Sequence, residues 1–186
     1  GKFTMNGGAV TGNTTAKWGT IFTNKGVIEI NGGEISNNSA TRGGAICANA
    51  QSDAGSASVV VNGGKISGNT AQYGGAVYFL NLASLTINDG ELSGNNATKQ
   101  GGAVFGGGTL TITGGLITGN TATTGSPAVH ATGTVFTMTG GTIKDNGTQE
   151  PASNIIKQGT PAKDSVTVIS GNPVIEGQAI NIVGSY

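Results

Sequence analysis

Short apolar–polar–apolar triplets recur along this chain about every 25 residues. Phe3-Thr4-Met5, Leu85-Thr86-Ile87, Leu110-Thr111-Ile112 and Phe136-Thr137-Met138 alternate with a period of two, and Val59-Val60-Val61 holds the same place. Such alternation predicts strands with one buried face. A second apolar position recurs as Val10, Ile35, Ile66, Leu92, Ile117 and Ile143. A third recurs as Ile21, Ile46, Val77, Val104, Val129 and Ile155. Gly, Asn and Thr turns separate them, so each interval predicts three strands and no helix.

The punctuation repeats as well. Gly-Gly pairs stand at 7–8, 32–33, 63–64, 114–115 and 140–141, with Asp89-Gly90 in the same series and Ser170-Gly171 as a degraded seventh copy. The second glycines lie 25, 31, 26, 25, 26 and 30 residues apart. Five residues after each of the first six comes an asparagine: Asn13, Asn38, Asn69, Asn95, Asn120 and Asn146. A Gly-Gly-Ala-Ile/Val block follows at 43–46, 74–77 and 101–104, with weaker versions at 19–21, 126–129 and 152–155.

A unit this short cannot bury its own apolar face, so successive units must stack. The predicted fold is an all-β, right-handed, single-stranded parallel β-helix (a solenoid) of about seven turns, with three strands per turn. The handedness follows from the chirality of parallel-strand crossovers. At roughly 4.8 Å per strand, such a rod is about 35 Å long. The six asparagines then form a structural ladder of stacked amides at a bend.

Composition narrows the functions. Glycine supplies 35 of 186 residues, Thr 25 and Asn 18, and only 10% are charged. Nine basic and nine acidic side chains cancel, which argues against nucleic-acid binding. Cys47 and His130 are the only residues of their types, so neither a disulfide nor a His/Cys zinc site is expected, and no cofactor or metal is expected. The apolar runs are far shorter than the roughly 20 residues of a membrane-spanning helix, so no membrane insertion by this segment is expected. The chain opens in mid-pattern without Met or a signal peptide. It reads as one β-helix domain over 1–186, cut from a longer protein, with 151–186 as an irregular C-terminal turn.

Units such as Gly114-Gly115-Leu116-Ile117-Thr118-Gly119-Asn120 and Gly74-Gly75-Ala76-Val77-Tyr78 resemble the right-handed β-helix repeats of bacterial cell-surface proteins, among them adhesin-like proteins of Gram-positive gut bacteria and spirochaetes. They are also partly similar to chlamydial polymorphic outer-membrane protein repeats, although the Phe of the Phe-x-x-Asn motif is missing here. The resemblance spans roughly residues 1–150. It implies an extracellular, secreted or surface-attached protein and carries over no catalytic residue.

Residues flanking the inward aliphatics point outward. The third strand gives a column of Phe22, Cys47, Tyr78, Phe105 and His130, with Trp18 at the nearby corner. An exposed aromatic stripe suits a glycan or protein contact. Trp18, Phe22, Tyr78, Phe105 and His130 are therefore the candidate ligand-binding residues, unless the insertion at 48–56 folds over them. The first strand presents Thr4, Thr86, Thr111, Thr137 and Thr167, a row similar to those of ice-binding solenoids but broken by Glu29 and Val60. The second strand presents Glu34, Lys65 and Glu91, which read as cross-strand ion pairs. A polysaccharide lyase or glycosidase needs clustered carboxylates. Asp89, Glu91 and Glu34 are the nearest approach to one, so no catalytic residue is assigned. The sequence thus predicts an extracellular structural or adhesive segment, with a glycan or a host or bacterial surface protein as partner. A carbohydrate-active enzyme or its non-catalytic remnant is the alternative, and an ice-binding surface the further one.

Overall fold

The structure, a computed structural model, describes residues 1–50, 55–132, 135–147, 155–159, 166–176 and 181–184. The chain winds as a parallel β-helix, with no helix among the described residues. Three sheets of seven strands run along it. The first holds Lys2–Met5, Gly26–Ile30, Ala57–Val61, Ala83–Ile87, Thr109–Ile112, Val135–Met138 and Val166–Ile169. The second holds Ala9–Thr11, Glu34–Ser36, Lys65–Ser67, Glu91–Ser93, Leu116–Thr118, Thr142–Lys144 and Val174–Ile175. The third holds Ile21–Thr23, Ile46–Ala50, Val77–Asn81, Val104–Gly106, Val129–Ala131, Ile155–Gly159 and Asn181–Gly184. The regular solenoid comprises about five turns rather than the seven expected, and strands of two further rungs extend its sheets. Of the segment 151–186, expected as an irregular turn, 155–159, 166–176 and 181–184 are described, and their strands extend the sheets; the rest lies outside the described residues.

Like stacks on like. Ile28, Val59, Leu85 and Leu110 are register partners in the first sheet, and Ile35, Ile66, Leu92 and Ile117 in the second. All eight are buried. In the third sheet Phe79 pairs with Gly106 one turn on and Ala48 one turn back. A Cβ at Gly106 would collide with the Phe79 ring. The small residues on either side thus make room for one large one. One register differs from expectation. Thr167 pairs with the inward Phe136, and Val168 with Thr137, so Thr167 does not extend the outward threonine row.

Left-handed residues stack in columns at the turns: Gly43, Gly74 and Gly101 (φ 63–70°) at the Gly-Gly-Ala corners, and two further columns beside the second sheet. Gly33, Gly64, Gly90 and Gly115 (φ 81–100°) form the corner between the first and second sheets. Gly12, Asn37, Gly68, Gly94, Gly119 and Asp145 (φ 52–69°) precede the ladder asparagines. Gly dominates all three because it takes positive φ without steric cost.

The turns also contain a strand that the sequence pattern did not predict. Thr70–Tyr73, Asn96–Gln100 and Thr121–Ala122 form a fourth, three-stranded parallel sheet between the second and third. Isolated bridges Thr14–Ser39, Ser39–Thr70, Trp18–Arg42 and Arg42–Tyr73 prolong it. Its inward column is Ala71, Ala97 and Ala122, all buried. Alanine among Thr, Asn and Gln gives little hydrophobic contrast, so these residues read as turn.

The asparagine ladder is present. Oδ1 of Asn95 accepts from both the backbone N–H and Nδ2 of Asn69, each at 3.0 Å. Asn95 passes the same pair to Oδ1 of Asn120 at 2.9 and 3.0 Å, and its Nδ2 also donates to the Ile66 carbonyl at 2.9 Å. Asn13, Asn38 and Asn120 repeat the donation to Asn38, Asn69 and Asn146. Asn38, Asn69, Asn95 and Asn120 are essentially inaccessible, whereas Asn13 is the exposed end of the column. A second ladder runs along the outside. Asn31, Asn62 and Asn88 donate in turn to Asn6, Asn31 and Asn62, each at 2.8 Å, and Thr113 donates to Asn88.

Asn95→Ala would strand two buried donors of Asn69 and the Ile66 carbonyl. The expected loss is about 3–4 kcal/mol in urea unfolding. Asn88→Ala, on the exposed ladder, should cost under about 1 kcal/mol. Equal losses would contradict the burial argument.

Candidate functional site

The outward column of the third sheet has the predicted register. Phe22 pairs with Cys47, Cys47 with Tyr78, Tyr78 with Phe105 and Phe105 with His130. Parallel stacking at strand spacing makes the rings overlap face to face. Tyr78 and Phe105 have centroids 5.4 Å apart at 7°, and Phe105 and His130 are 5.3 Å apart at 2°. At the other end Trp18 stacks on Phe22 at 5.4 Å and 17°.

The column is not uniformly exposed, and here the structure corrects the expectation of a solvent-facing stripe. Phe22 is 43% accessible, but Tyr78 is 5% and His130 1% accessible. Trp18 and Phe105 lie between. The cover at Tyr78 comes from the bridges flanking the fourth sheet, at the residues just before the Gly-Gly corners, where Arg42 reaches its ring, whereas His130 packs on Phe105 and beside Gly125. Trp18, Arg42, Tyr73 and Gln100 form a second column there, held by the Trp18–Arg42 and Arg42–Tyr73 bridges and the Tyr73–Gln100 pairing. The corners hold the two columns close together. A Cβ on Gly75 would collide with the Gly102 carbonyl, and one on Gly102 with the carbonyls of Pro127 and Thr121. As for the expected 48–56 cover, Ile46–Ala50 is a buried strand, and 51–54 lie outside the described residues.

A cleft of about 360 Å³ opens between the columns. Arg42, Tyr73 and Gln100 line one side, Tyr78, Phe105 and Leu80 the other, with Thr132 beyond them. Tyr73 meets Phe105 edge-on at 5.3 Å and 63°. The Arg42 guanidinium lies 5.2 Å from the Trp18 ring and 5.9 Å from the Tyr78 ring. It thus occupies the level at which Cys47 interrupts the aromatic column. Trp18, Arg42, Tyr78, Phe105 and His130 make one nearly continuous series of planar groups. Lys17 stands 4.9 Å over the Trp18 ring and Lys99 5.1 Å over the Tyr73 ring.

Burial raises the Tyr78 hydroxyl above its usual range, against the opposing charge and hydrogen bond of Arg42. The Cys47 thiol is pushed up to about 12, mainly by burial, with the Gly19 backbone and Arg42 opposing. On the second sheet, Lys65 separates Glu34 from Glu91 in register and pairs with Glu91 at 2.9 Å. Hydrogen bonds from Ser93 and Lys65 hold the Glu91 carboxyl below its usual value.

Arg42, Tyr73, Gln100 and Lys99 were not among the candidates drawn from the sequence. Their signal is positional: Arg42, Tyr73 and Gln100 are the residues immediately before the three complete Gly-Gly-Ala blocks. No family model, curated protein or solved structure matches this chain.

At pH 8 the Cys47 thiol should react with a disulfide reagent only after unfolding, because it is buried and protonated. Its folded value is raised, so its contribution is intact below pH 9.0 and is lost as pH climbs toward about 12. Cys47→Ala should remove that part of the alkaline destabilisation. Equal thiol reactivity in folded and unfolded protein would contradict the burial.

Proposed function

We propose that the solenoid is an extracellular adhesive segment of a bacterial surface or secreted protein, and that it holds a glycan in the cleft between the Arg42–Tyr73 and Tyr78–Phe105 columns. The observation that carries this reading is the cleft itself: a concave surface with aromatic groups on both sides, fixed on stacked strands. Its volume of about 360 Å³ falls within the ~300–1,000 Å³ usual for ligand clefts. A sugar ring has an apolar C–H face bordered by hydroxyls. Tyr73, partly exposed, offers apolar ring surface to the sugar, and Phe105, stacked between Tyr78 and His130, offers its rim, while Gln100 and Thr132 offer hydrogen-bonding groups to the hydroxyls.

The rod supports the adhesive part of the reading. Parallel strands pair turn to turn along the sheets, so a site on the third sheet is carried at a fixed angle to the axis. The resemblance of the Gly-Gly-Ala and Gly-Asn repeats to bacterial surface-protein repeats supports the extracellular placement. The enzymatic and ice-binding alternatives find less support. Among the described residues no carboxylate lines the cleft, and Glu29, Val60 and Val168 hold the register position of the threonine row in three turns.

A glycan array followed by titration calorimetry on the 186-residue chain tests the proposal. Tyr73→Ala should weaken the glycan found by about tenfold or more. Circular dichroism of the variant should be unchanged, because Tyr73 lies outside the apolar core. Absence of retained glycan, or undiminished binding by Tyr73→Ala and Phe105→Ala, would leave the solenoid only a spacing role.

A further inference from the structure

Charge is segregated around the solenoid. Glu29 lies on the first sheet, Glu34 and Glu91 on the second, Asp89 between them, and Asp145 and Glu176 directly after second-sheet strands. These are all the carboxylate side chains among the described residues. Three cations on that side have acidic partners: Lys2 with Glu29 at 2.6 Å, Lys65 with Glu91 at 2.9 Å and Lys144 with Asp145 at 3.8 Å. The cleft side differs. Lys17, Arg42 and Lys99 gather there, each over an aromatic ring, and none forms a salt bridge among the described residues.

A guanidinium held between two rings keeps its full charge. The rings flank it, part of its N–H edge hydrogen-bonds the Tyr78 hydroxyl, and its other donors belong to a side chain that lines the cleft. The guanidinium is a planar fork whose geometry matches a carboxylate or sulfate. A neutral sugar would leave the three positive charges uncompensated beside apolar surface, whereas an anionic one would compensate them.

We infer that the cleft selects anionic saccharides, with the carboxylate or sulfate group against the Arg42 guanidinium and Lys17 and Lys99 flanking it. The inference rests on the glycan reading above and names the ligand class. A single-stranded nucleic acid is also anionic and stacks on aromatic groups. It fits less well, because the chain has zero net charge and the cations cluster at one cleft rather than track a strand.

The test uses the intact chain and matched pairs of probes: tetragalacturonate against its methyl ester, sialyllactose against lactose, and a sulfated disaccharide against its unsulfated parent. An oligothymidylate is the further arm. At least one acidic member should bind about tenfold or more tighter than its neutral counterpart, and the advantage should shrink from about 0.05 to about 0.5 M salt. Arg42→Gln should abolish the preference. Arg42→Lys should restore part of it, since the charge returns without the planar fork. Lys99→Gln, at an exposed position, should weaken acidic ligands about two- to threefold with an unchanged melting temperature. That readout keeps the inference testable should Arg42→Gln loosen the fold. Equal binding of neutral and acidic partners, unaffected by salt and by Lys99→Gln, overturns the inference and leaves the glycan cleft standing. Tighter binding of oligothymidylate than of every acidic saccharide also overturns it. Binding to no saccharide of either kind overturns both readings.

Discussion

A buried side-chain amide must find partners, and in this protein each column asparagine finds them in the same residue one turn away. That requirement positions everything around it. Asn69 reaches Asn95 while Ile66 stacks beneath Leu92 and Ala71 beneath Ala97. A one-residue slip would turn each inward aliphatic outward. It would also break the two hydrogen bonds that enter each amide and the one that returns to the preceding turn's carbonyl, as Asn95 does to Ile66. The polar column and the apolar columns thus enforce the same register, which is the consistency across levels expected of a well-specified fold.

The amide column also fixes the corner from which the fourth sheet departs. From there the chain runs a few residues to the Gly-Gly corners, where the missing side chains let successive turns nest against each other's carbonyls. The Tyr73 column and the Tyr78 column are brought together by that corner alone. The cleft is therefore a product of the backbone path. It does not depend on a mobile loop among the described residues, since its walls stand on paired strands and bridges.

What the sequence revealed, and what it hid, divides along the same line. A repeat reports which residues are neighbours along the rod, because equivalent positions stack. The Asn column, the three aliphatic columns and the Phe22–His130 register were all readable for that reason. A repeat does not report the angle between successive strands. Exposure of Tyr78 depends on that angle, because Arg42, just before a Gly-Gly corner, reaches its ring. The fourth sheet was hidden differently: its inward positions are alanines, too small to stand out from surrounding Thr and Asn. Thr167 falls one position off the row because the seventh copy is one residue shorter between strand and glycine: Val168 precedes Gly171 by three positions, where Thr137 precedes Gly141 by four. The role of Arg42 was invisible because it belongs to no column of like residues. It fills a gap that Cys47 leaves in another column.

The stacked rings invite the question of whether they serve stability alone. Aromatic pairs are worth roughly 0.5–1.5 kcal/mol beyond their buried area, and exposed cation–π contacts roughly 0.5–1 kcal/mol. That account suits Tyr78 and His130, which are covered and continue the ordered stack. It explains less of Trp18, Phe22, Tyr73 and Phe105, which keep part of their apolar surface in water. Elsewhere the described core is built from Val, Ile, Leu, Ala and Met with the fully buried rings of Phe79 and Phe136. The column therefore divides its work along the axis. Its covered end anchors the planar groups, and its open end presents them, with a guanidinium set among the rings at the one rung where the aromatic series is broken.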